Sequence, residues 1–156
     1  MDKKEFIAKL EDHKKKRKPL TGLNMDGCEL HHTDLNGLIL IESVLRNVDF
    51  NHSKMEEVEF IRCELDYCNF ENADLPDANF TGSKLSHCNL SHCTLSGANL
   101  SGTTLINCDL QDANLVMIEV MDAVFHQVTV NDKTDFHQTD TSAAKEFDLI
   151  RSAQTT

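Results

Sequence analysis

Residues 73–115 repeat a triplet of one small, one short polar and one large apolar residue at multiples of five positions: Ala73-Asp74-Leu75, Ala78-Asn79-Phe80, Cys88-Asn89-Leu90, Ala98-Asn99-Leu100, Cys108-Asp109-Leu110 and Ala113-Asn114-Leu115. The same register extends in both directions, because every fifth residue from Leu20 to Val130 is Leu, Phe, Met or Val. The residue two places earlier, from Leu23 to Val128, is small or aliphatic and never charged. A period of five fits neither a helix nor a strand, so the pattern predicts a repeat architecture.

This pattern resembles the motif of the pentapeptide-repeat family, which is Ala-Asp/Asn-Leu followed by two variable residues. The resemblance covers about residues 20–130. It implies an all-β solenoid, a right-handed β-helix of quadrilateral cross-section with one pentad on each side and four pentads per coil. At that geometry residues 20–130 make about five and a half coils. We predict three segments: a helical cap or basic tail (residues 1–19), the β-helix (residues 20–130) and a C-terminal turn and helix (residues 131–156).

The N-terminal segment is expected to form a short helix that covers the first coil. Solenoids need such covers because an open end presents unpaired backbone groups. Three apolar residues of the helix and three apolar residues at outward positions of the repeat are candidates for this contact: Phe6, Ile7 and Leu10 over Ile39, Ile41 and Val44. The alternative is a basic tail, residues 13–18, that binds an anionic partner.

The C-terminal segment leaves the five-residue register. We predict that Ser142 begins a helix that carries Phe147, Leu149 and Ile150. Four further apolar residues fall in or beside outward positions of the last coil: Val116, Met117, Met121 and Val124. In several pentapeptide-repeat proteins a C-terminal helix joins two rods end to end. The resemblance therefore implies either a homodimer through these residues or a monomeric cap.

The net charge of −11 is unevenly distributed. Residues 1–19 carry +4, whereas residues 20–130 carry four Lys/Arg against seventeen Asp/Glu. Thirteen of these acids lie in the first part of the repeat and are the candidate partner-binding surface: Asp26, Glu29, Asp34, Glu42, Asp49, Glu56, Glu57, Glu59, Glu64, Asp66, Glu71, Asp74 and Asp77. An acidic rod does not bind nucleic acid directly, but it suits a basic protein surface.

Six cysteines all fall at the small inward position of the pentad: Cys28, Cys63, Cys68, Cys88, Cys93 and Cys108. They replace Ala, Ser and Thr at a packing position, as free cysteine often does. We predict reduced, structural thiols rather than disulfides.

The sequence predicts no enzyme, no catalytic residues and no cofactor. Catalysis needs groups that converge in a cleft, whereas a rod with a filled core has convex sides. His32, His52 and His92 share one outward column, and two or three imidazoles hold a transition metal only weakly. We therefore predict no metal site, although this column is the candidate if one exists.

Two binding functions fit these features, and a purely structural role without a specific partner is a third alternative. The first is a protein-interaction scaffold that presents its acidic surface to an unknown protein partner. The alternative is a DNA mimic that binds DNA gyrase or another DNA-binding protein, as the resemblance to the quinolone-resistance members of the family implies. No apolar run approaches the ~20 residues of a membrane span, and Met1-Asp2-Lys3-Lys4 leads into no signal-peptide core. We expect a cytoplasmic protein without membrane contact, and secretion as an effector without a signal peptide remains an alternative.

Overall fold

The computed structural model describes residues 1–16 and 18–152 and shows one helix followed by a parallel β-solenoid. The helix, α1, spans Lys3–Lys16, and a 3₁₀ turn spans Thr141–Ala143. The strands are β1 (Leu20–Thr21), β2 (Asn24–Asp26), β3 (Ile39–Ile41), β4 (Val44–Arg46), β5 (Glu59–Ile61), β6 (Glu64–Asp66), β7 (Lys84–Ser86), β8 (Thr104–Ile106), β9 (Val124–Val130) and β10 (Glu146–Arg151). The predicted all-β solenoid is confirmed. None of the described residues form a helix of the length and hydropathy that a membrane crossing requires.

Strand pairing shows a twenty-residue coil with four faces. Leu20 pairs with Leu40 and Leu45 pairs with Leu65, always in parallel. The first face contains β1, β3 and β5, and the second face is a seven-stranded sheet in the order β10-β9-β8-β7-β6-β4-β2. On the third face, isolated bridges connect successive coils from Glu29 to Thr129. On the fourth face they do so from Asp34 to Asp135. Four pairings per coil explain why the sequence repeats every five residues.

The large residue of each pentad fills the interior. These side chains are almost completely buried, as Leu35, Phe60 and Leu110 illustrate with no exposed surface. The rings of Phe50 and Phe70 stack with centroids 4.9 Å apart, and those of Phe60 and Phe80 stack at 5.2 Å. Phenylalanines twenty residues apart therefore stack in two columns inside the solenoid.

The second residue after each large one adopts a left-handed backbone conformation. All twenty-two such positions from Gly22 to Gln127 have φ between 51° and 71°. Only six of them are glycine, and Asn, Asp or His occupy ten more. These are the residue types that tolerate this region best, and none of the twenty-two is β-branched. At twenty of these positions the backbone N–H donates to a backbone carbonyl on the next coil, for example from Glu42 to Ile61 at 2.9 Å. The N–H groups of Asp112 and Gln127 donate instead to side-chain oxygens of Asn131 and Asp148.

The N-terminal helix lies over the first coil. Phe6 is fully buried and Leu10 nearly so, and both join the solenoid core, with Ile7 partly buried beside them. His13 is also buried, with Nδ1 2.6 Å from the carbonyl oxygen of Lys18 and Nε2 3.3 Å from that of Gly37. The helix therefore covers the open end of the core with apolar side chains.

The expected contact residues of this helix lie elsewhere on the first coils. Ile39 and Ile41 flank the inward Leu40 on β3, so their side chains point away from the core, and Val44 does the same on β4. All three are half-buried. The structure thus puts them on the first and second faces, on the outer surface of the solenoid.

The prediction of a C-terminal helix that begins at Ser142 is wrong. Asp140, not Ser142, caps the short 3₁₀ turn, and its carboxylate accepts hydrogen bonds from the Ser142 N–H and hydroxyl. The chain then continues as β10, in parallel with β9. The exposed edge of β9 supplies backbone partners, and Phe147 and Leu149, two residues apart, both point towards the core. This segment adds a coil, so the solenoid has seven rungs on its second face.

The six cysteines are free and buried. Cys93 donates from Sγ to the carbonyl oxygen of Phe70 at 2.8 Å, and burial raises the pKa of this thiol to about 12. In the column of Cys68, Cys88 and Cys108, hydrogen bonding of the Cys88 thiol to Cys108 and Cys68, together with burial, raises the pKa of Cys88. Their positions agree with a packing role.

In Cys93→Ala the free energy of unfolding should fall less steeply with pH above about 9 than in the wild type. The folded thiol has a pKa of about 12, whereas the unfolded thiol titrates near 9. The contribution of Cys93 to the free energy of unfolding is therefore intact below about pH 9. It is lost as the pH rises towards 12, by ~1.4 kcal/mol per pH unit. The measurement is urea denaturation between pH 8 and 10.5 under reducing conditions. Thr103→Val is the matched control, because the Thr103 hydroxyl makes the same 2.8 Å bond, to Phe80, and does not titrate. Equal pH slopes in the wild type and Cys93→Ala would contradict the assignment.

Two exposed methionines test the left-handed position. Met117 has φ 57°, whereas Met121, four residues later, has no positive φ. Both are exposed, at 56% and 65%. Met117→Val should lower the free energy of unfolding by about 1–2 kcal/mol, because a β-branched residue resists φ > 0. Met121→Val should change it by less than ~0.5 kcal/mol. Thermal and urea unfolding measure both, and equal effects would refute the role of the backbone conformation.

Candidate functional site

The thirteen candidate acids all face outward, but they do not share one face. None is buried, and Asp49, Glu59, Asp66 and Glu71 are half-buried while the others are exposed. They occupy all four faces and the corners between them: Glu42 and Glu59 on or beside the first; Asp26, Glu64 and Asp66 on the second; Glu29, Asp49 and Glu71 on the third; Asp34, Glu56, Glu57, Asp74 and Asp77 on or beside the fourth. The acidic region is a collar around the first half of the rod.

Cations interrupt several of these acidic columns. Lys54 lies between Asp34 and Asp74 on the fourth face. On the second face, Arg46 occupies the rung between Asp26 and Asp66 in the same way. Coiling therefore places a cation between two acids on each of these faces, although neither cation forms an ion pair among the described residues.

Four of the thirteen acids have a cationic or histidine partner within 4.0 Å: Asp34, Glu42, Asp49 and Asp66, paired with Lys14, Arg62, His31 and His87. The Glu42–Arg62 pair is the shortest of these, at 2.9 Å. Among described residues the other nine form no ion pair: Asp26, Glu29, Glu56, Glu57, Glu59, Glu64, Glu71, Asp74 and Asp77. Their charge is available to a partner.

The acidic edge, which we define as Glu56, Glu57 and Asp77, lies at the corner after the fourth face. Glu57 and Asp77 hold the left-handed position on successive coils, with φ 53° and 55°. The Asp77 carboxylate folds over Gly97, where any Cβ would collide with it and where φ is +71°. Glycine at 97 therefore lets this carboxylate lie along the corner. All three acidic side chains are exposed.

The basic residues at the N-terminus are largely committed to local contacts. Lys14 donates from Nζ to the Asp34 carbonyl oxygen at 3.1 Å, and Lys16 pairs with Asp12 at 2.8 Å. His13 is buried. Lys15 remains exposed, and Arg17 lies outside the described residues. Lys18 is likewise exposed, so within the described part of residues 13–18 three side chains make local contacts and two lysines are left for a partner.

A shallow groove on the second face was not predicted from the sequence. It encloses about 280 Å³ across β4, β6 and β7 and presents Arg46 and Lys84 beside Glu64 and Asp66. Tyr67 stacks on His87 next to it, with ring centroids 4.5 Å apart. Tyr67 and His87 are twenty residues apart in the sequence, which places them in one column on successive coils. That spacing could have indicated that their rings stack.

The histidine column does not assemble three ligands. The rings of His32 and His52 lie face to face at an angle of 35°, with centroids 4.9 Å apart. His92 lies two coils further on, where its Nε2 is 3.9 Å from an Asp112 carboxylate oxygen. A hydrogen bond from Asn131, and then Lys133, lowers the pKa of Asp112. Within residues 1–16 and 18–152, His32, His52 and His92 do not form a cluster of three close ligand atoms.

The C-terminal apolar residues divide into two sets. Phe147 and Leu149 are half-buried and pack against the core, and the Phe147 ring lies 4.8 Å from that of Phe125. Met117, Met121 and Ile150 are at least 48% exposed, while Val116 and Val124 are half-buried. The first set completes the last coil, and the second is available for contact.

Two family models match this chain. One family model, described as a pentapeptide repeat region, matches residues 53–144, and another, described as pentapeptide repeats, matches residues 24–60. No curated protein matches the chain.

Several solved structures are similar to this chain. A pentapeptide repeat protein from the thylakoid lumen of Arabidopsis thaliana is 24% identical over 67% of this chain and 69% of its own, with a TM-score of 0.50. Rfr23 from the cyanobacterium Cyanothece 51142 is 17% identical over 81% and 97%, with a TM-score of 0.46. Full-length QnrB1, a plasmid-mediated fluoroquinolone resistance protein, is 14% identical over 86% and 94%, also at 0.46. At these identities the likeness concerns the fold alone.

The repeat architecture, the register of the pentads and the family models agree. Because the region matched by one model alone exceeds half of the 156 residues, the chain belongs to the pentapeptide repeat family.

Proposed function

We propose that this protein is a non-enzymatic scaffold that presents its acidic collar to a basic surface of a protein partner. The observation that carries the proposal is the set of nine outward carboxylates without an ion-pair partner among the described residues. Complementary charge of this kind steers association and fixes orientation. The acidic edge is the centre of the proposed contact.

The shape of the rod supports binding rather than catalysis. The inward side chains pack into a solid core, and the outward ones diverge from four faces. Catalytic groups must converge on a reacting atom, and they do so in a concave site. Regularly spaced outward side chains on a rigid support suit recognition of a second macromolecule instead.

Mimicry of DNA towards gyrase or another DNA-binding protein is the competing form of this proposal. A DNA-like surface needs rows of phosphate-like charge. Lys54 and Arg46 break the rows on the fourth and second faces. The observed pattern therefore favours a localised contact at the acidic edge over mimicry along the length of the rod.

Charge reversal at the acidic edge should abolish partner capture. Glu57→Lys/Asp77→Lys removes two unpaired exposed carboxylates, and we expect at least a tenfold loss of captured partner on immobilised protein at low salt. The wild-type interaction should weaken as salt rises, because exposed charges are screened. The matched control is Glu119→Lys/Asp122→Lys, which makes the same charge change at two exposed acids outside the collar.

Two results would contradict this assignment. Equal capture by the two double variants would show that the acidic edge is not the contact. Inhibition or protection of gyrase supercoiling at micromolar protein would instead support mimicry. The basic N-terminus should be tested with Lys15→Glu rather than by deletion, because deletion would also remove Phe6 and Leu10 from the core.

We also propose that two copies associate through their C-terminal ends. Met117, Met121 and Ile150 leave exposed apolar surface there, of a kind that usually marks a contact. Analytical ultracentrifugation should show a species of about 35 kDa, twice the 17.6 kDa of one chain. Met121→Glu/Ile150→Glu should give the monomer, while Tyr67→Glu, at an equally exposed residue on another coil, should not. A monomeric wild type at high micromolar concentration would rule the dimer out.

A further inference from the structure

The last coil brings one histidine together with two potential carboxylate ligands that lie twenty and twenty-two residues later in the sequence. His126 on β9 and Glu146 and Asp148 on β10 each offer one ligand atom, and these atoms all lie within 4.8 Å of one another. The Nδ1 atom of His126 is 2.7 Å from Glu146 Oε1. Among the described residues, this is the one group of three or more such side chains that meets at this distance.

A local irregularity in strand pairing creates the cluster. Phe147 pairs with Phe125 and Leu149 pairs with Val128, so Asp148 alone opposes two residues of β9. Everywhere else in the seven-stranded sheet the pairing advances residue by residue. A bulge of this type redirects a side chain, and bulges are frequent beside functional sites. Here it places the Asp148 carboxylate next to His126.

The backbone also orients the aspartate. The N–H of Gln127 donates to Asp148 Oδ2 at 3.4 Å, which leaves the other oxygen free to bind an ion. Hydrogen bonds to a ligating side chain fix its orientation and strengthen metal binding. All three ligands sit on paired strands rather than on a loop, which limits their relative motion.

The surroundings contain apolar side chains. Ile106 occupies the rung next to His126 in the same column, and Val124 pairs with Glu146. Both are half-buried. Apolar neighbours lower the local dielectric and strengthen the attraction between carboxylates and a cation.

The ligand set selects a class of ion. One imidazole nitrogen and two carboxylate oxygens suit divalent first-row transition metals, and zinc takes such ligands at about 2.0–2.2 Å. Ligand atoms around tetrahedral zinc are about 3.3 Å apart, so the present spread of 2.7–4.8 Å needs only small rotations of exposed side chains. The remaining coordination position would hold water or a donor from a partner.

We propose that His126, Glu146 and Asp148 form a surface binding site for a divalent transition-metal ion that clamps β10 to β9. The ion would tie the last coil, which has a neighbour on one side only, to the rest of the solenoid. The site is distinct from the acidic collar, which lies on earlier coils, so the two proposals fail independently.

Isothermal titration of the full chain with zinc chloride tests the site. We expect saturable binding of one ion per chain and a rise in the melting temperature. His126→Ala should abolish this binding, and Asp148→Asn, which preserves the shape of the side chain, should weaken it at least tenfold. The matched control is His87→Ala. His87 Nδ1 also lies next to a carboxylate, 3.4 Å from Asp66 Oδ1, but among the described residues this pair does not belong to a cluster of three potential ligands. Circular dichroism establishes that each variant is folded.

Cobalt as a spectroscopic probe separates this site from the six cysteines. Ligation by nitrogen and oxygen gives weak visible bands without the strong near-ultraviolet thiolate absorption. Weak bands that disappear in His126→Ala support the proposal. Absence of saturable zinc binding, binding that survives both His126→Ala and Asp148→Asn, an equal loss in His87→Ala, or thiolate absorption would each overturn it.

Discussion

The structure depends on one backbone requirement: every fifth residue must adopt φ > 0. At these positions the chain turns from one face to the next, and at twenty of the twenty-two the N–H bonds to a backbone carbonyl one coil further on. A left-handed conformation costs an L-residue roughly 1–2 kcal/mol. Sixteen of the twenty-two positions use Gly, Asn, Asp or His, which reduces the cost. Stacked hydrogen bonds and a filled core offset the rest.

This requirement also explains the surface of the rod. The residue types that tolerate the left-handed region are glycine and short polar side chains, and the latter carry charge or hydrogen-bonding groups. Corners therefore become columns of acids, amides and imidazoles, such as Glu57 with Asp77 or His32 with His52. The chemistry that a partner meets at the corners is partly a by-product of backbone geometry.

The sequence was sufficient for the fold because the inward positions are nearly invariant in type from Leu20 to Val130. It was insufficient where the period breaks. Between Asn114 and Asp135 the spacing between bridged partners is twenty-one residues, and Phe147 follows Phe125 by twenty-two. The helix predicted for Phe147 and Leu149 is wrong because local propensity carries no information about a distant strand edge. The edge of β9 pairs with this segment and makes it a strand. The cations posed a similar problem, since Lys54 and Arg46 come to lie between acids of neighbouring coils only after the chain has coiled.

The helix α1 has a consequence for assembly. A solenoid with two open ends would stack head to tail, and such a heterologous contact does not close, so it grows into a filament. Phe6, Leu10 and His13 occupy one end of this solenoid, and among the described residues no helix covers β10 at the other end. A contact between two such ends would be self-complementary and would stop at two copies. One short helix thus limits end-on association of this fold to closed, two-fold symmetry.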